Sequence, residues 1–141
     1  PLILETQGLA AALEHYVEKM AEIEDLAMHL ELEAGIDNRL SKEAQGALFY
    51  IIEEAITNAR KHANASDLWI RVFRKGLSVI AEVEDNGKGF DVAAVESNYT
   101  ERSSLGLLNL YERATLVNGK TVIQSAPGKG TKVIISVPTR E

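Results

Sequence analysis

Residues 68–90 read LWIRVFRKGLSVIAEVEDNGKGF, and the fold turns on how they are read. Two strand-like runs, about Leu68–Arg74 and Leu77–Glu84, alternate apolar with polar side chains and are joined by Lys75-Gly76. So short a link between alternating runs predicts a β-hairpin. Upstream lies the longest helical pattern, Lys42–His62, with Ser41 placed as its N-cap and a loop over Ile36–Leu40 before it. Earlier still, Met28, Leu30 and Leu32 alternate with His29, Glu31 and Glu33, a half-buried strand closed by Gly35. Leu9, Leu13, Tyr16, Val17 and Met20 recur at helical spacing, after an irregular lead-in from Pro1 to Gly8. Downstream, a polar segment Asp85–Ser104 precedes a helix over Leu105–Val117, stopped by Asn118-Gly119. Strands at Lys120–Ser125 and Thr131–Val137 flank a turn at residues 126–130. Three helices and hairpin-connected strands predict a single α+β domain, residues 9–141: a two-layer sandwich with a mixed, mostly antiparallel sheet.

Composition narrows the function. The 141 residues carry 15 Lys+Arg against 21 Asp+Glu, a net charge of −6, with no Cys. Disulfide and zinc–thiolate scaffolds are excluded, as is cysteine nucleophilic chemistry. No apolar run approaches the roughly 20 residues of a membrane span. An acidic chain is a poor nucleic-acid or anionic-membrane surface, and at first sight a poor host for any anion.

Four motifs could carry chemistry. On a wheel of about 100° per residue, Leu48, Ile52, Ala55, Ile56 and Ala59 form the stripe that packs on the sheet. Glu54, Asn58, Lys61 and His62 line an adjoining polar face. A carboxylate there can orient a nucleophile, an amide oxygen suits Mg²⁺, and the basic pair suits phosphate oxygens. Next, Asp85-Asn86-Gly87-Lys88-Gly89-Phe90 follows a strand directly. Its glycines let a flat ligand approach the main chain, and Asp85 is an acceptor for an exocyclic amine. Third, Ser103-Ser104-Leu105-Gly106-Leu107 leads into a helix whose free N–H groups suit phosphate. The fourth is Gly128-Lys129-Gly130-Thr131, opening the last strand. Taken singly, they equally fit a solvated helix face, a tight turn, a plain N-cap and a hairpin turn.

Order and combination select among these alternatives. The series resembles the ATP-binding domain of sensor histidine kinases, within the GHKL superfamily shared with DNA gyrase and MutL-type ATPases. Residues 53–63, EEAITNARKHA, are similar to the family's N box, and residues 85–89, DNGKG, to its first glycine box. Residues 106–114, GLLNLYERA, resemble the second glycine box in the form found in kinases paired with helix-turn-helix response regulators. The resemblance runs from about Gly8 to Pro138 and implies the Bergerat ATP-binding fold.

What it implies for single residues is specific. Asn58 would ligate Mg²⁺, and Glu54 would assist the incoming nucleophile. Lys61 and His62 would lie near the phosphates of ATP. Asp85 would bind the adenine amine, Gly87 and Gly89 would shape the pocket, and Thr131 would support the adenine end. Gly106 and Leu107 would open the helix at the phosphates, with residues 91–105 as a mobile lid over ATP. Two departures stand out: Ser104 occupies a position where many relatives have glycine, and no phenylalanine box is evident. The resemblance implies transfer of the γ-phosphoryl group to a His on a separate dimerisation module, since none of His15, His29 and His62 sits in an acceptor signature. Residues 1–8 resemble the connection leaving that module. The implied setting is cytoplasmic, in a homodimer formed through that module. A response regulator is the implied partner, with neither nucleic acid nor membrane contacting this segment. Rival expectations are a GHKL-type serine kinase or anti-sigma factor, an ATPase, and a nucleotide-binding module without catalysis.

Overall fold

A computed structural model describes residues 1–23, 25–97 and 106–140. Its five strands are β1 (Ala27–Leu32), β2 (Asp67–Lys75), β3 (Ser78–Asp85), β4 (Lys120–Ser125) and β5 (Thr131–Pro138). Its helices are α1 (Leu2–Gln7), α2 (Leu9–Ile23), α3 (Lys42–Asn58), α4 (Val92–Ser97) and α5 (Leu107–Thr115). The sheet order is β1-β2-β3-β5-β4. β1 and β2 run parallel, with α3 in the crossover between them, and every other pair is antiparallel. The two-layer α+β expectation is borne out, including the β2–β3 hairpin.

Alternation sorts the sheet into two faces. Leu68, Ile70 and Val72 of β2, Val79, Ala81 and Val83 of β3, and Val133, Ile135 and Val137 of β5 all point inward and are buried. They meet Leu48, Ile52, Ala55 and Ile56 of α3, Leu9 and Leu13 of α2, and Leu110 and Ala114 of α5 in one continuous core. At about 25 cal/mol per Å² of apolar surface, such burial dominates the stability of the fold. Ser41 caps α3 by accepting the Ala44 N–H at 3.1 Å, as its position predicts. No helix among the described residues is long and apolar enough to cross a membrane.

Three expectations need correction. The lead-in is not irregular: Leu2–Gln7 is helical, yet none of its residues is buried, so no apolar stripe betrays it. Residues Ile36–Arg39 form a short 3₁₀ turn rather than an open loop. The long helix also changes character: α geometry ends at Asn58, and Ala59–Ala63 continue as a π-helical turn ended by Asn64 in the left-handed conformation. An i→i+5 pattern abolishes the hundred-degree wheel beyond Asn58.

Candidate nucleotide site

Strand β3 builds the centre of the site. Val79, Ala81 and Val83 face inward, so Asp85, two residues on, must do so too. It is 8% exposed and the only buried charged or polar residue among those described. Its Oδ1 accepts the Gly87 N–H at 2.8 Å, and the Thr131 N–H also donates to the carboxylate. Burial pushes the Asp85 carboxyl above its ordinary value; the two N–H donors oppose the shift and neighbouring Glu84 adds to it.

The loop after Asp85 is held between two other segments. Lys88 N–H donates to the Ala63 carbonyl at 2.7 Å, and Gly128 N–H to the Lys88 carbonyl at 2.6 Å. Gly87 lies so close to the π turn that a Cβ there would stand 2.3 Å from the Ala63 oxygen. Only glycine fits that approach. The π turn, the glycine loop and the β4–β5 turn are therefore locked together around one cavity.

Asn58, His62, Asp85, Gly89, Leu107 and Thr131 line that cavity, so six of the ten residues named from the sequence meet there. Lys61 does not: it is exposed and outside the lining. Glu54, Gly87 and Gly106 adjoin the cavity without lining it. A Cβ at Gly106 would stand 2.7 Å from Glu54 Oε1, so the carboxylate lies against the start of α5. Gly106 has φ 63° and contributes no side-chain cap, which leaves the helix entrance to other acceptors. Ser103, Ser104 and most of the expected lid fall outside the described residues.

The rest of the lining is apolar: Ala55, Ala59 and Ala63 on one wall, Val83, Phe90, Ile123 and Val133 on the others. In the sequence these are indistinguishable from core residues, since lining a flat slot and packing a core demand the same side chains. An apolar lining with one carboxylate suits an aromatic ring that carries a hydrogen-bond donor. No group of three or more His, Asp or Glu side chains able to hold a metal stands among the described residues. An amide oxygen such as that of Asn58 fits Mg²⁺ in the mode where substrate phosphates and water supply most ligands.

The other histidines, His29 and His15, lie outside the cavity lining. His29 on β1 bonds Asp67 at 2.8 Å and stacks on Trp69, and the pairing holds the Asp67 carboxyl below its ordinary value. His15 is exposed on α2.

Residues 43–141 match the family model described as "Histidine kinase-, DNA gyrase B-, and HSP90-like ATPase". An uncharacterised sensor-like histidine kinase of Chloroflexus aurantiacus is 48% identical over 141 residues, covering 98% of this chain and 24% of that protein. The histidine-protein kinase/phosphatase DegS of Bacillus subtilis is 34% identical, covering 98% of the chain and 36% of its own length. The chain thus spans about a quarter to a third of these curated relatives. Among solved structures, a blue-light activated histidine kinase of Erythrobacter litoralis superposes with a TM-score of 0.73 at 19% identity, over 92% of this chain and 41% of that one. The ATP-binding domain of PrrB from Mycobacterium tuberculosis gives 0.69 at 22%, covering 92% of both chains. At those identities the structures speak for the fold alone.

Proposed function

The chain belongs to the histidine kinase-, DNA gyrase B- and HSP90-like ATPase family, and on that premise we propose that it is the ATP-binding catalytic domain of a sensor histidine kinase. The observation that carries the proposal is Asp85, a buried acceptor at the edge of an apolar slot. The adenine ring enters the slot and gives an amine hydrogen to Asp85. Its triphosphate then extends toward Asn58, His62 and the entrance of α5. Asn58, together with the phosphates, would hold Mg²⁺, which would supply charge neutralisation. Glu54 orients the nucleophile from its place beside Gly106. Lys61, exposed outside the slot, has no assigned contact in this scheme.

The acceptor is a His on a dimerisation module of the same protein, and the phosphoryl group passes on to a response regulator. Residues 1–8 connect to that module, and the chemistry takes place in the cytoplasm. Incubating the full-length protein with γ-labelled Mg–ATP tests this. The expected result is an acid-labile, base-stable label on protein, abolished by Asn58→Ala. Acid-stable label, or full labelling of the Asn58→Ala variant, would overturn the assignment.

A further inference from the structure

The nucleobase end of the cavity has a hydrogen-bond polarity, and a residue outside the cavity lining fixes it. Ser125, the last residue of β4, makes three close polar contacts through one hydroxyl. It accepts the Phe90 N–H at 2.9 Å. It stands 2.9 Å from the Gly130 carbonyl oxygen and 2.8 Å from Thr131 Oγ1. A serine hydroxyl has one proton and two acceptor sites. The carbonyl of Gly130 can only accept, so the single Ser125 proton goes there. The proton between Ser125 and Thr131 must therefore come from Thr131. All three capacities of Ser125 are then filled, and none is left over.

The consequence falls on the cavity. Thr131 has two protons, its N–H and its O–H. The first lies in the sheet ladder, where Thr131 stands opposite Asp85 and Ser125, and the second goes, by the count above, to Ser125. The hydroxyl of Thr131, a residue of the cavity lining, is then left with lone pairs only. Asp85 beside it, in its ionised form, likewise accepts only. This end of the slot therefore holds two acceptors and no donor from either residue. A base edge carrying an amine, with two N–H groups, satisfies it. A base edge carrying a carbonyl meets lone pairs in a poorly hydrated site, which is costly.

Resting on the ATP-site assignment, we infer that Ser125 is a positioning residue for nucleobase selection: it commits the Thr131 proton and so makes the pocket favour a 6-amino purine over a 6-oxo purine. The same hydroxyl ties the glycine loop, through Phe90, to the β4–β5 turn, through Gly130. Selection and loop closure thus share one group. Without it, the Thr131 hydroxyl can turn and offer its proton to a carbonyl.

The test is calorimetric binding of ATP and of inosine triphosphate, whose base carries a carbonyl in place of the amine. Wild type is expected to prefer ATP. Ser125→Ala should lower the ATP-to-ITP affinity ratio by about tenfold, the worth of one hydrogen bond of this kind. Ser125→Thr, which keeps the hydroxyl, should restore it. A merely structural role would weaken both nucleotides in step, and that result, or an unchanged ratio, would overturn the inference. Equal binding of both nucleotides by wild type would overturn it too, while leaving the ATP-site assignment intact. Wild type that binds neither would overturn that assignment itself and the inference with it. Amide exchange provides a readout without nucleotide. The Phe90 N–H should be protected in wild type and Ser125→Thr and exchange faster in folded Ser125→Ala, and unchanged protection would show that Ser125 is not its acceptor.

Discussion

At the scale of single residues, Asp85 sets binding against stability. Its folded pKa is raised above the ordinary 3.8, chiefly by burial. The folded state therefore holds the proton more tightly than the unfolded chain does. The stabilisation from that proton is complete below the unfolded value and is lost as pH rises through the raised one. Once ionised, the side chain is a net cost to folding, and on the proposed reading that cost is offset when a ligand amine meets the acceptor. Asp85→Asn keeps an oxygen for the Gly87 N–H and removes the buried charge, but it turns an amide N–H₂ toward the base. Nucleotide affinity should fall by about tenfold or more, since a hydrogen bond to a charged group is worth roughly 1.5–3 kcal/mol. The melting temperature of the unliganded variant at pH 7 should equal or exceed that of wild type. That margin should narrow as pH falls through the raised pKa. Calorimetric binding and thermal melts across pH check both halves. Unchanged affinity, or a melting temperature several degrees below wild type at pH 7, would contradict the account.

At the scale of elements, what could be read in the sequence follows from how regular each element is. The β2–β3 hairpin announces itself because alternation is strict and one face is buried, and β1 because its apolar residues alternate strictly on a partly buried face. Helix α3 does so through its stripe of Leu48, Ile52, Ala55 and Ile56. Helix α1 has no buried side chain and so no pattern. The π turn at Ala59–Ala63 was illegible for another reason: no residue type marks it, and its cause is the docking of Ala63 against Gly87 and Lys88, about twenty-five residues away in the chain. Asn58, still within α geometry, falls where the wheel puts it; of the two basic residues in the π turn, His62 lines the cavity and Lys61 does not. The α3–α5 junction is testable in the same terms. Gly106 has φ 63°, and a methyl group there would press on the Glu54 carboxylate. Gly106→Ala should cost at least about 1–2 kcal/mol from the left-handed backbone alone. The Glu54 contact adds to that. Removing the carboxylate with Glu54→Ala should therefore recover part of the loss, as a coupling energy in a double-mutant cycle. Urea denaturation of the four proteins measures it, and strictly additive effects would show that the two residues do not touch.

For the whole molecule, the net charge of −6 and an anionic ligand are reconciled by where the charges sit. Long-range repulsion between like charges is screened within about 8–10 Å at moderate ionic strength, so the groups lining the slot decide binding. Those groups include no carboxylate cluster able to hold a metal by itself among the described residues, and Lys61 stands outside them. On the proposed reading, neutralising the triphosphate would fall to Mg²⁺ held at Asn58, to His62 and to the entrance of α5. A site so built should depend on the divalent ion more than one lined by several lysines. Ligand binding to the native state raises stability by about 2.7 kcal/mol at a hundred times Kd, and each kcal/mol moves the melting temperature of a domain this size by roughly 2–4 °C. Saturating Mg–ATP should therefore raise the melting temperature by about 5–10 °C. The same nucleotide with a chelator should raise it by clearly less. In Asn58→Ala the nucleotide should give the same small rise with or without the ion, because the ligand that couples metal to protein is gone. Scanning calorimetry of both proteins with ATP, with and without Mg²⁺, decides it. An Asn58→Ala protein that keeps the full magnesium-dependent increment would move the metal to another residue.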